Sequence, residues 1–291
     1  MELLFAQIIN GLALGSIYGL LILGFTLLLL VAGIFHFAYP HMVVFAIYIA
    51  WLTLNATAGN VALASLAAIG GSLGMAIAIE PIFRPLTKRA ALIVSMVVSL
   101  GISVVFTDIM SRVLHRGVPI GFPLYFTGKA PIITVGLAVI SRGQLLTVVG
   151  SIITVVIFLY LLYRTSTGRS LRAIAQNSFV AQLVGIPVVR TSRLSYLIAG
   201  LVGGLTAVFI AMFLGCSYGT LGDMLALKVI CVALFAGMGN LVGGLICALI
   251  LGVVETFVIG YLPGDWSNAI AFAMVMVVIL WKPDGLFGSR V

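Results

Sequence analysis

Two side chains of opposite charge, Lys228 and Glu255, lie inside long apolar stretches of this 291-residue sequence. Ionisable side chains within apolar membrane segments are costly, and they are usually paired with one another or directly functional. If the chain turns near residue 240, Lys228 lies 12 residues before the turn and Glu255 lies 15 residues after it. At about 1.5 Å per helical residue, the depths of the two side chains then differ by only about 5 Å. We predict an intramembrane ion pair that fixes a hairpin, with contact to a substrate as the alternative.

A second group of polar residues follows the first apolar stretch and includes His36 and His41. These histidines could form a proton relay, or they could satisfy backbone carbonyls at a kink made by Pro40. They have no carboxylate nearby in the sequence, so we expect no metal site. Asp223 is expected to be a solvated residue at the start of a helix.

Catalytic chemistry has no support in the sequence. No arrangement of Ser, His, Asp and Cys suggests a nucleophile with its base, and Cys216, Cys231 and Cys247 lack the spacing of a metal or redox site. None of the lysines lies in the phosphate-binding context G-x-x-x-x-G-K-[ST]. We therefore expect a chain that is not an enzyme and that binds no cofactor of its own.

Polar residues near the N-terminus are candidates for lining a translocation pathway. Gly11, Gly15 and Gly19 repeat every four residues, which predicts a glycine face for close helix packing, either within the chain or between subunits. Side chains beside that face could line a pathway or could equally pack. The candidate pathway residues are Asn10, Ser16, Tyr18, His36 and Phe37.

The composition places all these residues in a membrane protein. Hydrophobic residues make up 63% of the chain, charged residues make up 8%, and the mean hydropathy is +1.30. We predict an all-α, polytopic transmembrane helical bundle with about eight to nine membrane segments, in a single domain over residues 1–291. The first stretch is longer than a signal-peptide core and is expected to remain as a membrane helix. The apolar stretches lie at 4–31, 42–55, 61–79, 91–110, 145–163, 194–214, 224–238, 241–262 and 268–281.

The stretch at 224–238 is too short for a simple crossing. It would span only about 22 Å of a hydrocarbon core of about 30 Å. We therefore predict a broken or re-entrant hairpin with the following stretch. The bend is expected at Gly237, Gly239, Gly243 and Gly244.

Lysine and arginine residues predict the orientation of the chain. Ten lie in the connections at 80–90 and 164–193 and at the C-terminus, against four in the loop at 111–143. The connections at 80–90 and 164–193 and the C-terminus are therefore expected in the cytoplasm, and the loop at 111–143 is expected outside. The chain itself is expected in the inner (plasma) membrane. Within the loop, "YFTGKAPIITV" at 125–135 predicts two short extended pieces around a turn. We attribute the net charge of +8 to basic loops that face anionic lipid and partner surfaces, not to nucleic-acid binding.

The segment at 164–193 contains the most polar helix in the sequence. Thr167 or Ser170 can cap its start, and Gly185 followed by Pro187 can end it, which predicts one helix over residues 169–184 outside the bilayer. A helix at the lipid interface is one interpretation. A helix that docks into a groove of another protein is the other.

"GRSLRAIAQNSFVAQLVGI" at 168–186 resembles the cytoplasmic coupling motif of branched-chain amino-acid ABC transporter permeases. The similarity continues in "NGLALGSIYGLLILGFTLL" at 10–28, "RPL" at 84–86, "SLGIS" at 99–103 and "LKVICVALFAGMGNLVGGLICALILGVVE" at 227–255. One site differs, because family members commonly carry N-F-A-x-G where this chain has His36, Phe37, Ala38, Tyr39 and Pro40. The local backbone is therefore expected to differ. The matched motif positions are Gly168, Arg169, Arg172, Ala173, Ala175, Asn177, Ala181, Leu183, Gly185 and Ile186.

The resemblance implies a membrane subunit of a binding-protein-dependent importer for branched-chain or other small hydrophobic amino acids. It further implies two ATP-binding cassette subunits that hold ATP and Mg, a second permease, and an extracytoplasmic substrate-binding protein. Coupling to the ATPase would use Gly168, Arg169, Arg172, Ala173, Asn177 and Gly185. The alternative function is a stand-alone ion-coupled transporter or channel, in which Lys228, Glu255 and His36 would form the ion-coupling site.

Overall fold

The structure is a computed structural model that describes residues 2–85, 92–114, 118–128, 131–135, 138–261 and 266–288. Seven helices in these ranges are long and apolar enough to cross a membrane. They are α1 (Glu2–Ala32), α2 (Tyr39–Ala56), α3 (Val61–Phe83), α4 (Leu92–Asp108, continued by a π-helical turn at Ile109–Leu114), α6 (Arg142–Arg164), α9 (Val188–Leu214) and α11 (Leu241–Tyr261). Five basic residues used to predict the orientation lie outside the described residues, namely Lys88, Arg89, Arg116, Lys129 and Arg290.

Two shorter apolar helices, α10 (Leu221–Ala236) and α12 (Trp266–Trp281), complete the set of predicted membrane segments. With 16 residues, α10 is about 24 Å long, which is shorter than a hydrocarbon core of about 30 Å. It joins α11 through a turn in which Gly237 and Gly239 have positive φ angles of 96° and 92°. Gly243 and Gly244 were expected in this bend but lie inside α11, where they pack against Phe287 and Ile22.

Small elements connect the long helices. The short connecting helices are α5 (Leu124–Thr127), α7 (Ser166–Gln176) and α8 (Ser178–Leu183). The strands β1 (Ile120–Gly121) and β4 (Cys216–Ser217) pair antiparallel, as do β2 (Pro131–Val135) and β3 (Ala138–Ser141). We call the end of the bundle that carries these strands the strand end. The opposite end, where α7 and α8 lie beside the ends of α1 and α3, we call the basic end.

The predicted hairpin at 125–135 is displaced in the structure. The first half of this stretch forms the short helix α5, because Pro123 precedes its first turn and Gly128, with a φ angle of 58°, ends it. The strands therefore begin only at Pro131 and pair with the residues that lead into α6.

The helix α1 is the centre of the bundle, because its middle turns are buried on all sides. One side, with Leu21 and Phe25, belongs to the larger hydrophobic core, which includes α2 and α10. The other side, with Leu20 and Leu27, belongs to a smaller core with α6, α9 and α7. Displacement of α1 would therefore disturb the packing of the helices in both cores.

Glycine permits α1 to approach α11 closely. A Cβ atom on Gly15 would lie 2.8 Å from Leu249 Cα, and one on Gly11 would lie 2.6 Å from Val253 Cα. Gly252 of α11 in turn faces Gly15 directly. The predicted glycine face therefore packs within the chain, as small residues do where membrane helices approach closely.

We expect Gly15→Ala to destabilise the protein, because the added methyl group meets the α11 backbone, and overpacking of this kind costs about 1–3 kcal/mol. Gly74→Ala in α3 is the control, since no atom lies within 4 Å of its added Cβ. Both changes raise helix propensity equally. The thermal unfolding temperature in detergent should fall for Gly15→Ala and should not fall for Gly74→Ala; equal behaviour would contradict the close packing.

Candidate translocation cavity

Three side chains from three helices form a polar cluster near the middle of the bundle. The Tyr18 hydroxyl of α1 donates a 2.8 Å hydrogen bond to Glu255 Oε2 of α11. Lys228 Nζ of α10 donates a 3.0 Å hydrogen bond to the Tyr18 hydroxyl oxygen and forms an ion pair with Glu255 Oε1. The structure thus brings Lys228 and Glu255 together, as the spacing around the hairpin predicts.

Burial gives this cluster a large effect on stability. The exposed fraction of the side chain is 13% for Lys228 and 4% for Glu255. Lys228 Nζ also lies 5.5 Å from the centroid of the Tyr18 ring, a distance at which a cation is attracted to the ring face. Removal of one charge would leave the other buried without its counter-ion, which is far more costly than removal of both.

The polar cluster forms part of the wall of a cavity of about 500 Å³. Cavities of this size with mostly apolar walls and a few polar groups are typical small-molecule sites. The polar lining includes Asn10, Tyr18, Gln144, Lys228 and Glu255. The apolar lining includes Leu14, Ile17, Ile210, Phe213, Leu221 and Ile259.

Asn10 lies at the strand end of this cavity. Its Oδ1 accepts a 2.6 Å hydrogen bond from Gln144 Nε2 at the start of α6. Gln144 and Ser141 also form a reciprocal capping box, which holds the Gln144 side chain in place. Gln144 was not predicted as a site residue, although the Ser-x-x-Gln pattern before an apolar stretch is a recognisable helix start.

Two other candidate pathway residues, Ser16 and Phe37, do not line the cavity. The Ser16 hydroxyl donates a 2.8 Å hydrogen bond to the Ala13 carbonyl within α1. The Phe37 backbone N–H donates a 3.1 Å hydrogen bond to Ser99 Oγ. Both residues therefore have packing roles in this conformation.

His36 lies apart from the polar cluster. It is fully buried, and its ring packs against Phe83 and Tyr196 at centroid distances of 4.8 and 6.0 Å. Its two ring nitrogens have no hydrogen-bond partner among the described residues. The structure therefore does not assemble the three-residue ion-coupling site of the alternative function.

His41 has both a backbone and a side-chain partner. Its Nδ1 lies 3.2 Å from the Phe37 carbonyl oxygen, and its Nε2 lies 2.9 Å from Asp223 Oδ1. The pairing with Asp223 was missed, because 182 residues separate the two positions. The expected kink at Pro40 is absent, since this proline lies in the first turn of α2, where a missing N–H removes no helical hydrogen bond.

The polar stretch predicted as one helix over 169–184 forms two helices, α7 and α8. Asn177 interrupts the helix in an extended conformation, and its Oδ1 accepts hydrogen bonds from the N–H groups of Phe179 and Val180. The start of α7 also differs from the prediction, because its cap is Thr165, whose hydroxyl accepts from the Gly168 N–H. Side-chain capping by Asn and Thr explains both differences.

The helix α7 is a support held against the bundle. Gly168 is buried so closely that a Cβ would overlap the Leu162 carbonyl oxygen, and Leu171 and Ile174 are buried in the smaller core. The Arg172 guanidinium lies 5.2 Å from the centroid of the Tyr163 ring, and its Nε is buried. Arg169 is exposed and Ala173 is half-buried.

The helix α8 is an exposed apolar tip on this support. Phe179, Leu183 and Val184 expose 69%, 72% and 71% of their surfaces at the basic end. Gly185, with a φ angle of 85°, ends this short element. Exposed apolar side chains grouped in this way mark a surface that contacts either another protein or the membrane interface.

A buried carboxylate links the segment at 164–193 to α3. Glu80 accepts two hydrogen bonds from the Arg84 guanidinium, at 2.9 and 2.7 Å, and Arg193 Nε of α9 lies 3.6 Å from Glu80 Oε2. This contact was not predicted, although Glu80 and Arg84 have the i, i+4 spacing of a helical ion pair.

The sequence of the chain matches a known family along nearly all of its length. Residues 7–279 match the model of the branched-chain amino acid transport system / permease component family. The chain belongs to this family. No solved structure matches it.

Two relatives are similar to this chain over nearly their whole length, and a third is similar over about half of its length. The high-affinity branched-chain amino acid transport system permease protein BraD of Pseudomonas aeruginosa is 26% identical over 97% of this chain and 95% of its own length. The corresponding LivH protein of Escherichia coli K12 is 25% identical over 97% and 94%. The autoinducer 2 import system permease protein LsrD of Yersinia enterocolitica is 28% identical over 57% and 50%. This permease is accordingly a multi-pass membrane transport component rather than an enzyme.

In this permease, Lys228→Met or Glu255→Leu alone should lower the free energy of unfolding by about 3–5 kcal/mol, because each leaves a buried unpaired charge. The double variant should recover much of that loss but leaves the buried Tyr18 hydroxyl without its two partners. Adding Tyr18→Phe removes this hydroxyl and should therefore recover more of the free energy. Denaturant unfolding in detergent measures all four variants. Strictly additive losses would show that the pair makes no coupled contribution.

Asn177→Ala should destabilise α8 by about 1 kcal/mol, because two N–H groups lose their acceptor. Asn177→Asp keeps an acceptor and should retain the capped helix. Hydrogen exchange at the Phe179 and Val180 amides compares the two permease variants directly. Equal protection in both would refute a capping role for this side chain.

Proposed function

We propose that this chain is the membrane-spanning permease subunit of a binding-protein-dependent ABC importer. It forms the pathway for branched-chain or other small hydrophobic amino acids and couples that pathway to a separate ATPase. Two ATP-binding cassette subunits supply ATP and Mg, a second permease completes the membrane unit, and an extracytoplasmic binding protein delivers the substrate. The basic end faces the cytoplasm in this proposal.

The observation that carries the proposal is the form of α7 and α8. An exposed tip with Phe179, Leu183 and Val184 stands on a support that is buried against the core of the bundle. Interface energy concentrates in a few apolar and aromatic side chains that fill a partner's groove. A rigidly mounted tip can transmit movement of an ATPase to α1, because α7 packs directly on α1.

We propose that fewer motif residues contact the ATPase than the resemblance implies. Gly168 and Asn177 shape the segment, and Arg172 packs on Tyr163. Gly185 ends α8. Within the matched motif, Arg169 remains exposed and available for a partner. In this proposal, the motif at 168–186 mainly holds the exposed apolar side chains of the tip in position for contact with the ATPase.

The cavity supports passage of a small amphiphilic solute. Its walls combine apolar side chains with one cation and one anion, which are the chemical complements of an amino-acid zwitterion. The carboxylate of a substrate could compete for Lys228, and its ammonium group could compete for Glu255. The relative named as an autoinducer 2 import permease indicates that solute choice differs among proteins similar to this chain.

We expect Leu183→Glu to abolish association with the ATPase, because a charge replaces an apolar contact at the centre of the tip. Gln182→Glu is the matched control, since it adds the same charge to the neighbouring exposed residue of α8 without removing an apolar contact. Co-purification of the ATPase and ATPase stimulation by loaded binding protein report the result.

Normal association of the Leu183→Glu variant would contradict docking through α8. Uptake by the purified chain alone, driven by an ion gradient, would instead support the stand-alone transporter. Binding-protein affinities for leucine-like amino acids identify the substrate independently of either result.

A further inference from the structure

Asp223 of α10 exposes its side chain on the outside of the chain while its partner is buried. The exposed fraction is 52% for Asp223 and 2% for His41, whose Nε2 lies 2.9 Å from Asp223 Oδ1. Both ring nitrogens of His41 face oxygen acceptors, the Phe37 carbonyl and the Asp223 carboxylate. The His41 ring therefore holds the Asp223 carboxyl group in place.

The position of Asp223 along the bundle corresponds to the hydrocarbon region. Lys228 contacts Tyr18, which lies next to the middle of the membrane span Ala6–Ala32 of α1. Asp223 precedes Lys228 by five residues, or about 7.5 Å along the helix. The hydrocarbon core extends about 15 Å to each side of its midplane. A half-exposed carboxylate therefore lies at membrane depth.

Acidic side chains at this depth almost always face protein or a water-filled space, not lipid. Met224 and Leu227 are also exposed and lie on the same face of α10 as Asp223, and the exposed Thr220 immediately precedes the helix on that side. We call these four residues the α10 stripe. Met224 also lines the 500 Å³ cavity, so the stripe continues directly from the cavity wall.

We propose that the α10 stripe lines a water-filled part of the translocation pathway and that Asp223, held by His41, receives a cationic group of the passing solute there. This inference rests on the proposed function as a permease and names a second polar position on its pathway. The two charged side chains of α10, Asp223 and Lys228, would then contact oppositely charged groups of the solute at successive positions about 7.5 Å apart along the helix.

Cysteine accessibility in the full transporter tests the water-filled surface. In a Cys216→Ser background, Leu227→Cys is compared with Ile153→Cys at the middle of α6; the exposed fractions of the native residues are 49% and 53%. A charged, membrane-impermeant methanethiosulfonate reagent reacts with the thiolate, which forms in water. We expect Leu227→Cys to react roughly tenfold faster or more.

Equal reaction rates at the two positions, fast or slow, would overturn the inference. Slow reaction of Leu227→Cys together with copper-catalysed crosslinking between two copies would show a dry subunit contact, and would overturn it also. Neither result would contradict the proposed function, because that function is tested separately by association with the ATPase.

Substitution of Asp223 tests the role of its charge. Asp223→Asn should lower the transport rate roughly tenfold, because a charge-assisted hydrogen bond to the solute is lost. Asp223→Glu should retain most of the rate, and Leu227→Cys labelling in each background reports whether the stripe is still formed. Normal transport by Asp223→Asn with the labelling retained would refute the cation-receiving role.

Discussion

The close approach of α1 and α11 is the contact on which the rest of the permease depends. Gly11, Gly15 and Gly252 let the two backbones touch, and this approach sets Tyr18 within 2.8 Å of Glu255. The turn after α10 then places Lys228 against both. In lipid, where apolar burial does not drive helix association, small residues and interhelical polar contacts supply the attraction. Here both occur on the same pair of helices.

The helix α1 also connects the cavity to the basic end. Tyr18 lies in the cavity wall, and Leu27 lies in the smaller core with Leu171 of α7. Displacement of α7 would therefore act on the helix that carries part of the cavity wall. The contact of Glu80 with Arg84 and Arg193 provides a second link between the segment at 164–193 and the bundle. Packed elements of this kind transmit small shifts because close-packed interiors resist continuous deformation.

The helix α10 carries two charges with different surroundings. Lys228 is nearly buried by its partners, whereas Asp223 remains half-exposed although it is bonded to His41. Asp223 and Lys228 are five residues apart, so they lie about 7.5 Å from one another along the helix. A short helix with ionisable residues at membrane depth is typical of solute sites in transporters.

The sequence by itself determined the membrane bundle, the shortness of α10 and the meeting of Lys228 with Glu255, because apolar length and distance from a turn are properties of local sequence. It also indicated the glycine face, but not that the partner is α11. Only the tertiary structure decided that His41 pairs with Asp223, that His36 stands apart, and that Asn177 divides the polar helix into a buried support and an exposed tip. These outcomes depend on how each helix is rotated and which helix lies beside it. The periodicity of the sequence does not determine the rotation of a helix or the identity of its neighbour, whereas packing in the folded protein determines both.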